Sequence, residues 1–173
     1  MKKILSGKVW KYGDNVNTDI ISPPQYMELS IAEASRQAMS AVDPAFAEDV
    51  KAGDIVVAGS NFGSGSSRET SPLTLKYLGV GAVVAKFFAR IFYRNAINVG
   101  VVALECPETD RIEKDDVIEI HLEEGIIVNK TKNETYPCSK IPEHLFSLLE
   151  EGGLVPHLKK ELTETPCNPD SRT

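Results

Sequence analysis

The sequence has few residues of the kinds that hold metal ions. It contains three cysteines (Cys106, Cys138 and Cys167) and three histidines. The cysteines lie far apart and form no CxxC pair, which argues against a zinc site and against a disulfide framework. The chain by itself also offers no ligand set for an iron–sulfur cluster. We therefore expect reduced thiols, no metal on this chain and a cytoplasmic location.

Long apolar runs and an excess of basic residues are also missing. No apolar run approaches the roughly 20 residues that cross a bilayer. Ser6, Gly7 and Lys8 interrupt the apolar start of the chain, which argues against a secretory signal. Nineteen Lys and Arg against 25 Asp and Glu give a formal net charge of −6. Because such a chain repels phosphate backbones, we expect neither a membrane nor a nucleic-acid partner.

Strands and helices alternate along the first two thirds of the sequence, which implies parallel strands with right-handed crossovers. The predicted strands are 7–12, 55–58, 82–85, 101–104, 116–121 and 125–129. The predicted helices are 30–41, capped by Ser30, then 43–50, opened by Asp43 and Pro44, and 68–78, 88–98 and 141–151. The last two strands read as an antiparallel pair. We predict one α/β domain over residues 1–160 and a flexible, polar tail over 161–173.

The densest functional signal is the glycine- and serine-rich loop 59–69, GSNFGSGSSRE, between a buried strand and a helix. Successive backbone N–H groups beside a helix start favour anions. Ser66 and Ser67 add hydroxyls, and Arg68 adds a planar fork that matches a carboxylate. The loop is neither a GxxxxGK[ST] phosphate loop nor a GxGxxG fingerprint. It suits a small carboxylate or phosphate; the alternative is a turn with a capping serine and a solvated arginine.

Three segments carry a resemblance to a known family. They are NTDII at 17–21, the GSSRE of the loop with Asn61-Phe62-Gly63 before it, and FARIFYRNAINVG at 88–100. In this order and spacing they resemble the aconitase superfamily, and within it the small subunits of the 3-isopropylmalate dehydratase and homoaconitase type. The resemblance covers roughly residues 7–155.

The resemblance implies a swivelling β/β/α domain with mixed parallel and antiparallel strands, as in the C-terminal domain of aconitase. It implies a large-subunit partner that carries a 4Fe-4S cluster, while this chain binds no cofactor. The implied reaction isomerises a hydroxy dicarboxylate by dehydration and rehydration, as in leucine biosynthesis. A sister dehydratase acting on dimethylmalate, citramalate or homoaconitate is an alternative, and a non-catalytic carboxylate-binding module is another.

The resemblance also assigns roles within the loop. Ser66 is the expected base, with an N-cap as the alternative role. Ser67 and Arg68 are expected to bind the substrate carboxylate. Asp19 either orients Arg68 or caps a turn. Three loop residues are expected to shape the site: Asn61, Gly63 and Gly65. Arg90 is expected to touch the loop or the large subunit, unless it forms a surface salt bridge.

The chain departs from the family pattern in two places. Thr70 stands where many relatives have histidine. The segment Tyr26, Met27, Glu28 and Leu29 stands where relatives often have Tyr-Leu-Arg-Thr, whose arginine reads the far end of the substrate. We expect these four residues to contact the substrate, and we expect the turn-rich segment 13–30 to be a mobile lid.

Overall fold

A computed structural model describes residues 3–164 of the chain. Its centre is a seven-stranded sheet in the order β4-β3-β2-β1-β5-β6-β7. The strands are β1 (Ile4–Lys11), β2 (Ile55–Val57), β3 (Ala82–Ala85), β4 (Ala103–Glu105), β5 (Val117–His121), β6 (Ile126–Asn129) and β7 (Glu134–Pro137). Strands β1 to β4 pair in parallel and β5 to β7 antiparallel, so β1 joins the two halves. This confirms the expected mixed α/β fold.

The helices are short, and most of them follow parallel strands. They are α1 (Thr18–Ile21), α2 (Ile31–Ser35), α3 (Phe46–Asp49), α4 (Thr70–Tyr77), α5 (Arg90–Val99), α6 (Glu143–Glu150) and α7 (Leu154–Glu164), with 3-10 helices at Pro24–Tyr26 and Thr109–Arg111. Helix α5 ends at Gly100, whose φ of 84° is the left-handed conformation that glycine adopts without strain. Between residues 3 and 164, no helix is both long enough and apolar enough to cross a bilayer.

Both faces of the parallel half are buried, which explains its continuous apolar strands. On β2, Val56 faces the helices, where it joins a core cluster with Phe62, Leu75 and Phe92. Its neighbours Ile55 and Val57 point to the opposite face. That face continues onto the antiparallel half, whose inward residues include Ile118, Ile120 and Ile127. Each strand of the parallel half therefore supplies two separate cores with alternate side chains.

The sheet curls until its two ends meet. Ser139, just after β7, donates its backbone N–H to the carbonyl of Glu105 in β4 at 2.8 Å. Its hydroxyl accepts the N–H of Glu105 at 2.9 Å. The second core is enclosed by this curl, with Tyr136 of β7 and Leu104 of β4 in one cluster. The outer strands of the sheet thus cover one another's free backbone groups at this point.

Four expectations about local structure are corrected. The helix predicted over 30–41 ends at Ser35, because the chain turns at Met39, which has φ 63° and donates its N–H to Ile21 at 3.3 Å. The expected N-cap at Ser30 is confirmed, and Glu33 completes a capping box with it. Asp43 does not cap α3; its carboxylate accepts the hydroxyl of Tyr12 at 3.0 Å instead.

The other two corrections concern the end of the chain. Strand β7 was not predicted, because its sequence ETYP is polar and holds a proline, which an edge strand tolerates. The tail was expected from residue 161, but residues 161–164 belong to helix α7, which runs to Glu164. Apolar residues at 154, 155, 158 and 162 have the spacing of one helical face, which explains the helix. The rest of the predicted tail lies outside the described residues.

Candidate active site

A single helical turn places the first site residues. Asn17 caps α1 by accepting the N–H of Ile20 on its side-chain oxygen at 2.9 Å. Thr18 and Ile21, three residues apart, face the interior with 2% and 0% exposure. Asp19 therefore points to solvent, with a side chain 56% exposed. The resembling segment NTDII thus forms a capped turn that buries two residues and presents a carboxylate.

The glycine loop lies directly against the segment that leads into this turn. Gly63 donates its N–H to Val16 at 2.7 Å, and Thr18 donates to the carbonyl of Ser64 at 2.8 Å. Asp14 accepts the N–H of Ser60 at 2.7 Å. A Cβ on Gly63 would lie 2.1 Å from the Phe92 ring, so only glycine fits between the loop and α5. The loop is therefore clamped over its first half, from Ser60 to Ser64.

The second half of the loop is exposed and its polar groups are free. Gly65, Ser66 and Ser67 are all exposed. Within residues 3–164, the hydroxyls of Ser66 and Ser67 make no hydrogen bond, and the backbone N–H groups of Gly65, Ser66 and Ser67 donate to no acceptor. The N-cap of α4 is Glu69, without a side-chain cap bond. Ser66 is therefore not an N-cap, and the alternative role for it is wrong.

Arg68 is held in place although it lies beside the free serines. Its Nη2 atom contacts Oδ1 of Asp19 at 2.6 Å, and its Nη1 atom donates to the carbonyl of Ser22 at 3.3 Å. Only 14% of its side chain is exposed. An arginine has five N–H donors, so two contacts leave three for a ligand. Of the two roles weighed for Asp19, contact with Arg68 is the one found; Asn17 caps the turn.

Two other expected residues have different surroundings. Asn61 takes φ 59° and donates its side-chain amide to Asn15 at 3.1 Å, so it shapes the loop rather than facing Ser66. Arg90 opens α5 and lines a cleft of about 300 Å³ with Phe88, Tyr93 and Glu105. Its guanidinium has no hydrogen bond or ion pair in the described part of the chain, so the surface salt bridge is absent there, and its contact with the loop or the large subunit stays a prediction.

The segment Tyr26 to Leu29 comes shortly after Ser22, whose carbonyl Arg68 contacts. Among the described residues it makes no hydrogen bond to Ser66 or Ser67. Met27 and Leu29 are each 46% exposed, and Glu28 is exposed as well. Among the described residues Glu28 has no ion pair, with Arg36 or any other group. The preceding part of the expected lid is fixed, because Val16, Thr18 and Ile21 are buried and hydrogen bonded. Exposure is thus concentrated at 24–30.

Charged groups next to the loop are paired with one another. Lys86, which donates its backbone N–H to Gly59, also binds Asp110. That hydrogen bond raises the pKa of Lys86 and lowers the pKa of Asp110. Burial lowers the pKa of Lys11, whose ammonium donates to the carbonyl of Thr109. None of these contacts involves Ser66, whereas Arg68 directly follows Ser67 in the chain.

No metal site is found in the described part of the chain. Between residues 3 and 164, no three His, Cys, Asp or Glu side chains converge as ligands. Cys106 and Cys138 are free thiols. Burial raises the pKa of both, that of Cys138 to about 11. These residues do not fit a cluster, because a buried and a partly buried thiol with raised pKa values resist the deprotonation that ligation needs.

Comparison with known proteins identifies the family. The aconitase C-terminal domain family matches residues 14–109. The 3-isopropylmalate dehydratase small subunit 1 of Archaeoglobus fulgidus is 50% identical over 154 residues, 88% of this chain and 96% of that protein. The chain belongs to the 3-isopropylmalate dehydratase small-subunit family. The isopropylmalate/citramalate isomerase small subunit of Methanocaldococcus jannaschii is 47% identical over 167 residues, 95% of this chain and 99% of that protein.

A solved structure confirms the architecture of this small-subunit family in the present chain. The crystal structure of 3-isopropylmalate dehydratase from Methanocaldococcus jannaschii has a TM-score of 0.88 at 44% identity, over 92% of this chain and 96% of that one. The aconitase C-terminal match includes Asp19, the glycine loop and Arg68. It stops before β5, so the antiparallel half and helices α6 and α7 lie beyond it.

Proposed function

We propose that this chain is the small subunit of a two-subunit hydro-lyase and that Ser66 is its base. The observation that carries the proposal is a serine hydroxyl that is exposed, unbonded and surrounded by free N–H groups, beside an arginine already held in place. A serine is a weak base and needs donors that stabilise its alkoxide. The N–H groups of Gly65 to Ser67 and the three free donors of Arg68 meet that need.

In the proposed reaction, the Ser66 alkoxide takes the proton from the carbon next to a substrate carboxylate. Negative charge then grows on that carboxylate, where Ser67 and Arg68 bind it. The C–O bond of the neighbouring carbon breaks, and its electron pair leaves with the hydroxyl, which becomes water by taking a proton from an acid on the partner subunit. In the second half, water adds its hydroxyl to the carbon that lost the proton and returns its other proton to that acid, while Ser66 gives its proton to the carbon that lost the hydroxyl.

The exposure of the serines supports the need for a partner. An alkoxide in open water would be protonated, so the site requires a second surface that excludes solvent. We assign that surface to a large subunit, as the name of the family suggests. The 4Fe-4S cluster that we place on the large subunit would supply Lewis-acid activation of the leaving hydroxyl. We place the complex in the cytoplasm and in leucine biosynthesis.

The proposed substrate is a dicarboxylate with an apolar group at its far end, with 3-isopropylmalate first. Met27 and Leu29 supply exposed apolar surface. Among the described residues no cation pairs with Glu28, so a third carboxylate would meet like charge where relatives use arginine. One relative is named an isopropylmalate/citramalate isomerase, which supports tolerance for small apolar ends.

The base is tested with Ser66→Ala in a complex with a cognate large subunit reconstituted anaerobically with iron and sulfide. We expect kcat to fall by at least about 100-fold, with an unchanged melting temperature because Ser66 bonds to nothing. Ser60→Ala is the matched control, since among the described residues only the backbone of Ser60 is hydrogen bonded, through its N–H to Asp14 and its carbonyl to Asn15. Near-normal kcat for Ser66→Ala would disprove the base, and turnover by the isolated chain would disprove the subunit assignment.

The substrate is tested by comparing kcat/KM for 3-isopropylmalate, 2,3-dimethylmalate, citramalate and homoaconitate. We expect the tricarboxylate homoaconitate to be the poorest. Glu28→Arg should raise its kcat/KM relative to 3-isopropylmalate, because the repelling charge is replaced by an attracting one. A wild-type preference for homoaconitate would refute the proposed substrate class without affecting the proposed base.

A further inference from the structure

Two buried hydroxyls without partners lie at the two ends of the free part of the glycine loop. Oγ1 of Thr18 and Oγ1 of Thr70 are both buried, and neither has a hydrogen-bond partner in the described part of the chain. Buried polar groups in folded proteins are nearly always hydrogen bonded, and the exceptions call for an explanation. A hydroxyl that is unpaired in one state of a protein commonly finds its partner in another.

Of the two hydroxyls, that of Thr18 is better placed to contact the loop beside Ser66. The residue is only 2% exposed, and its backbone is fixed on both sides. Its N–H donates to Ser64 at 2.8 Å and its carbonyl accepts the hydroxyl of Ser71 at 3.4 Å. The free hydroxyl lies on the side of Gly65 where other residues carry a side chain, because a Cβ on Gly65 would lie 3.3 Å from Oγ1 of Thr18. Gly65 directly precedes Ser66.

The loop offers this hydroxyl the partners that it lacks. The backbone N–H of Gly65 is free, and the chain from Gly65 to Ser67 is exposed rather than packed. A threonine hydroxyl both donates and accepts, so it fits either group of a peptide unit. Gly65 has φ 96°, where the absence of a side chain lets the backbone approach Thr18.

We propose that Thr18 is a positioning residue, whose hydroxyl bonds to the backbone at Gly65 when the loop closes on substrate and so fixes the orientation of Ser66. The inference depends on the proposed role of Ser66 as base. The unpaired hydroxyl makes the free subunit less stable, and it is retained because the closed state uses it. Because the bond orients Ser66 for proton removal and does not contact the substrate, we expect its loss to lower turnover more than substrate binding.

The test is Thr18→Val, which keeps the shape of the side chain and removes the hydroxyl. In the free subunit we expect the melting temperature to rise by about 3 °C, because an unpaired buried hydroxyl has been replaced by a methyl group. In the complex we expect kcat to fall about tenfold, the effect of one hydrogen bond, with KM little changed. Thr18→Ser, which restores a hydroxyl, should restore most of the kcat.

Thr109→Val is the matched control. Thr109 is also fully buried and also has an unpaired Oγ1, but its carbonyl contacts Lys11 and not the loop. This variant should gain stability without losing kcat. A Thr18→Val complex with wild-type kcat would overturn the proposal, and so would a lower melting temperature, which would mean that the hydroxyl is already paired. If Thr18→Val has wild-type kcat while Ser66→Ala is inactive, Ser66 remains the proposed base and only the positioning role of Thr18 is refuted.

Discussion

The contact between Asp19 and Arg68 gives the sharpest prediction about activity. Asp19 is 56% exposed, whereas Arg68 is only 14% exposed. Asp19→Ala removes the 2.6 Å contact and leaves Arg68 with only the 3.3 Å bond to the Ser22 carbonyl. The guanidinium is then free to rotate about its long side chain. It would no longer be aimed at the substrate carboxylate before the substrate arrives.

Asp19→Ala is expected to have a small effect on the free energy of unfolding and a large effect on kcat/KM. An ion pair with an exposed partner contributes about 0.2–1 kcal/mol to folding, so the free energy of unfolding should change little. Misplacing a binding group by about 1 Å can reduce a rate by about 100-fold. We therefore expect kcat/KM to fall by about 30- to 100-fold, or about 2–2.7 kcal/mol of transition-state stabilisation. Asp19→Asn keeps an acceptor for Arg68, so its kcat/KM should lie between those of wild type and Asp19→Ala.

The assay is steady-state turnover of 3-isopropylmalate by the reconstituted complex, alongside urea unfolding of the free subunit. Asp110→Ala is the control, because it breaks another exposed ion pair, with Lys86, that does not involve Arg68. It should match Asp19→Ala in stability and wild type in activity. Equal kcat/KM for Asp19→Ala and wild type would refute the reasoning, since Arg68 would then need no orientation from Asp19.

Two further predictions follow from burial. Hydrogen exchange in the free subunit should be slow at Thr18, Ile21 and Ser22, which are buried and whose N–H groups are hydrogen bonded, and fast at the mostly exposed segment 25–30. Addition of the large subunit should slow exchange at 25–30, and strong protection there without the partner would exclude a lid. Burial raises the pKa of Cys138 to about 11, so about 0.1% of it is thiolate at pH 8. Iodoacetamide should therefore label Cys138 about 200-fold more slowly than a free thiol of pKa 8.5, and the labelling rate should increase as the pH approaches 11. Rapid labelling at pH 8, measured by mass spectrometry, would contradict the burial of this thiol.

The parallel half of the fold was predictable because its signals are local. The apolar runs IVV of β2 and AVVA of β3 lie between turn-forming residues, and glycine ends α5. Strand β7 was missed, because a polar edge strand lacks the alternation of apolar and polar residues that predicts a strand. Helix α7 was missed although its apolar residues have helical spacing. The early end of α2 depends on the contact between Met39 and Ile21, which no local pattern reveals.

The site shows the same division between local and long-range information. The residue types of the loop predict an anion site, and the resemblance places Asp19 and Arg68 in it. The unpaired hydroxyl of Thr18 could not be foreseen, because it depends on how α1 packs under Gly65. The tethering of 13–22 was missed for the same reason, since its bonds reach across more than 40 residues of chain to the glycine loop.

The central position of β1 has a consequence for how the chain folds as it is synthesised. Residues of β1 are the first of the sheet to be made, yet they pair with β2 through Ile55 and with β5 through His121. A ribosome adding about 5–20 residues per second makes the first strand wait several seconds for its second neighbour. During that time β1, which carries the apolar residues Val9 and Trp10, can pair with β2 but not yet with β5. The antiparallel half then forms from adjacent hairpins, so joining it to β1 is the long-range step that we expect to limit the rate of folding.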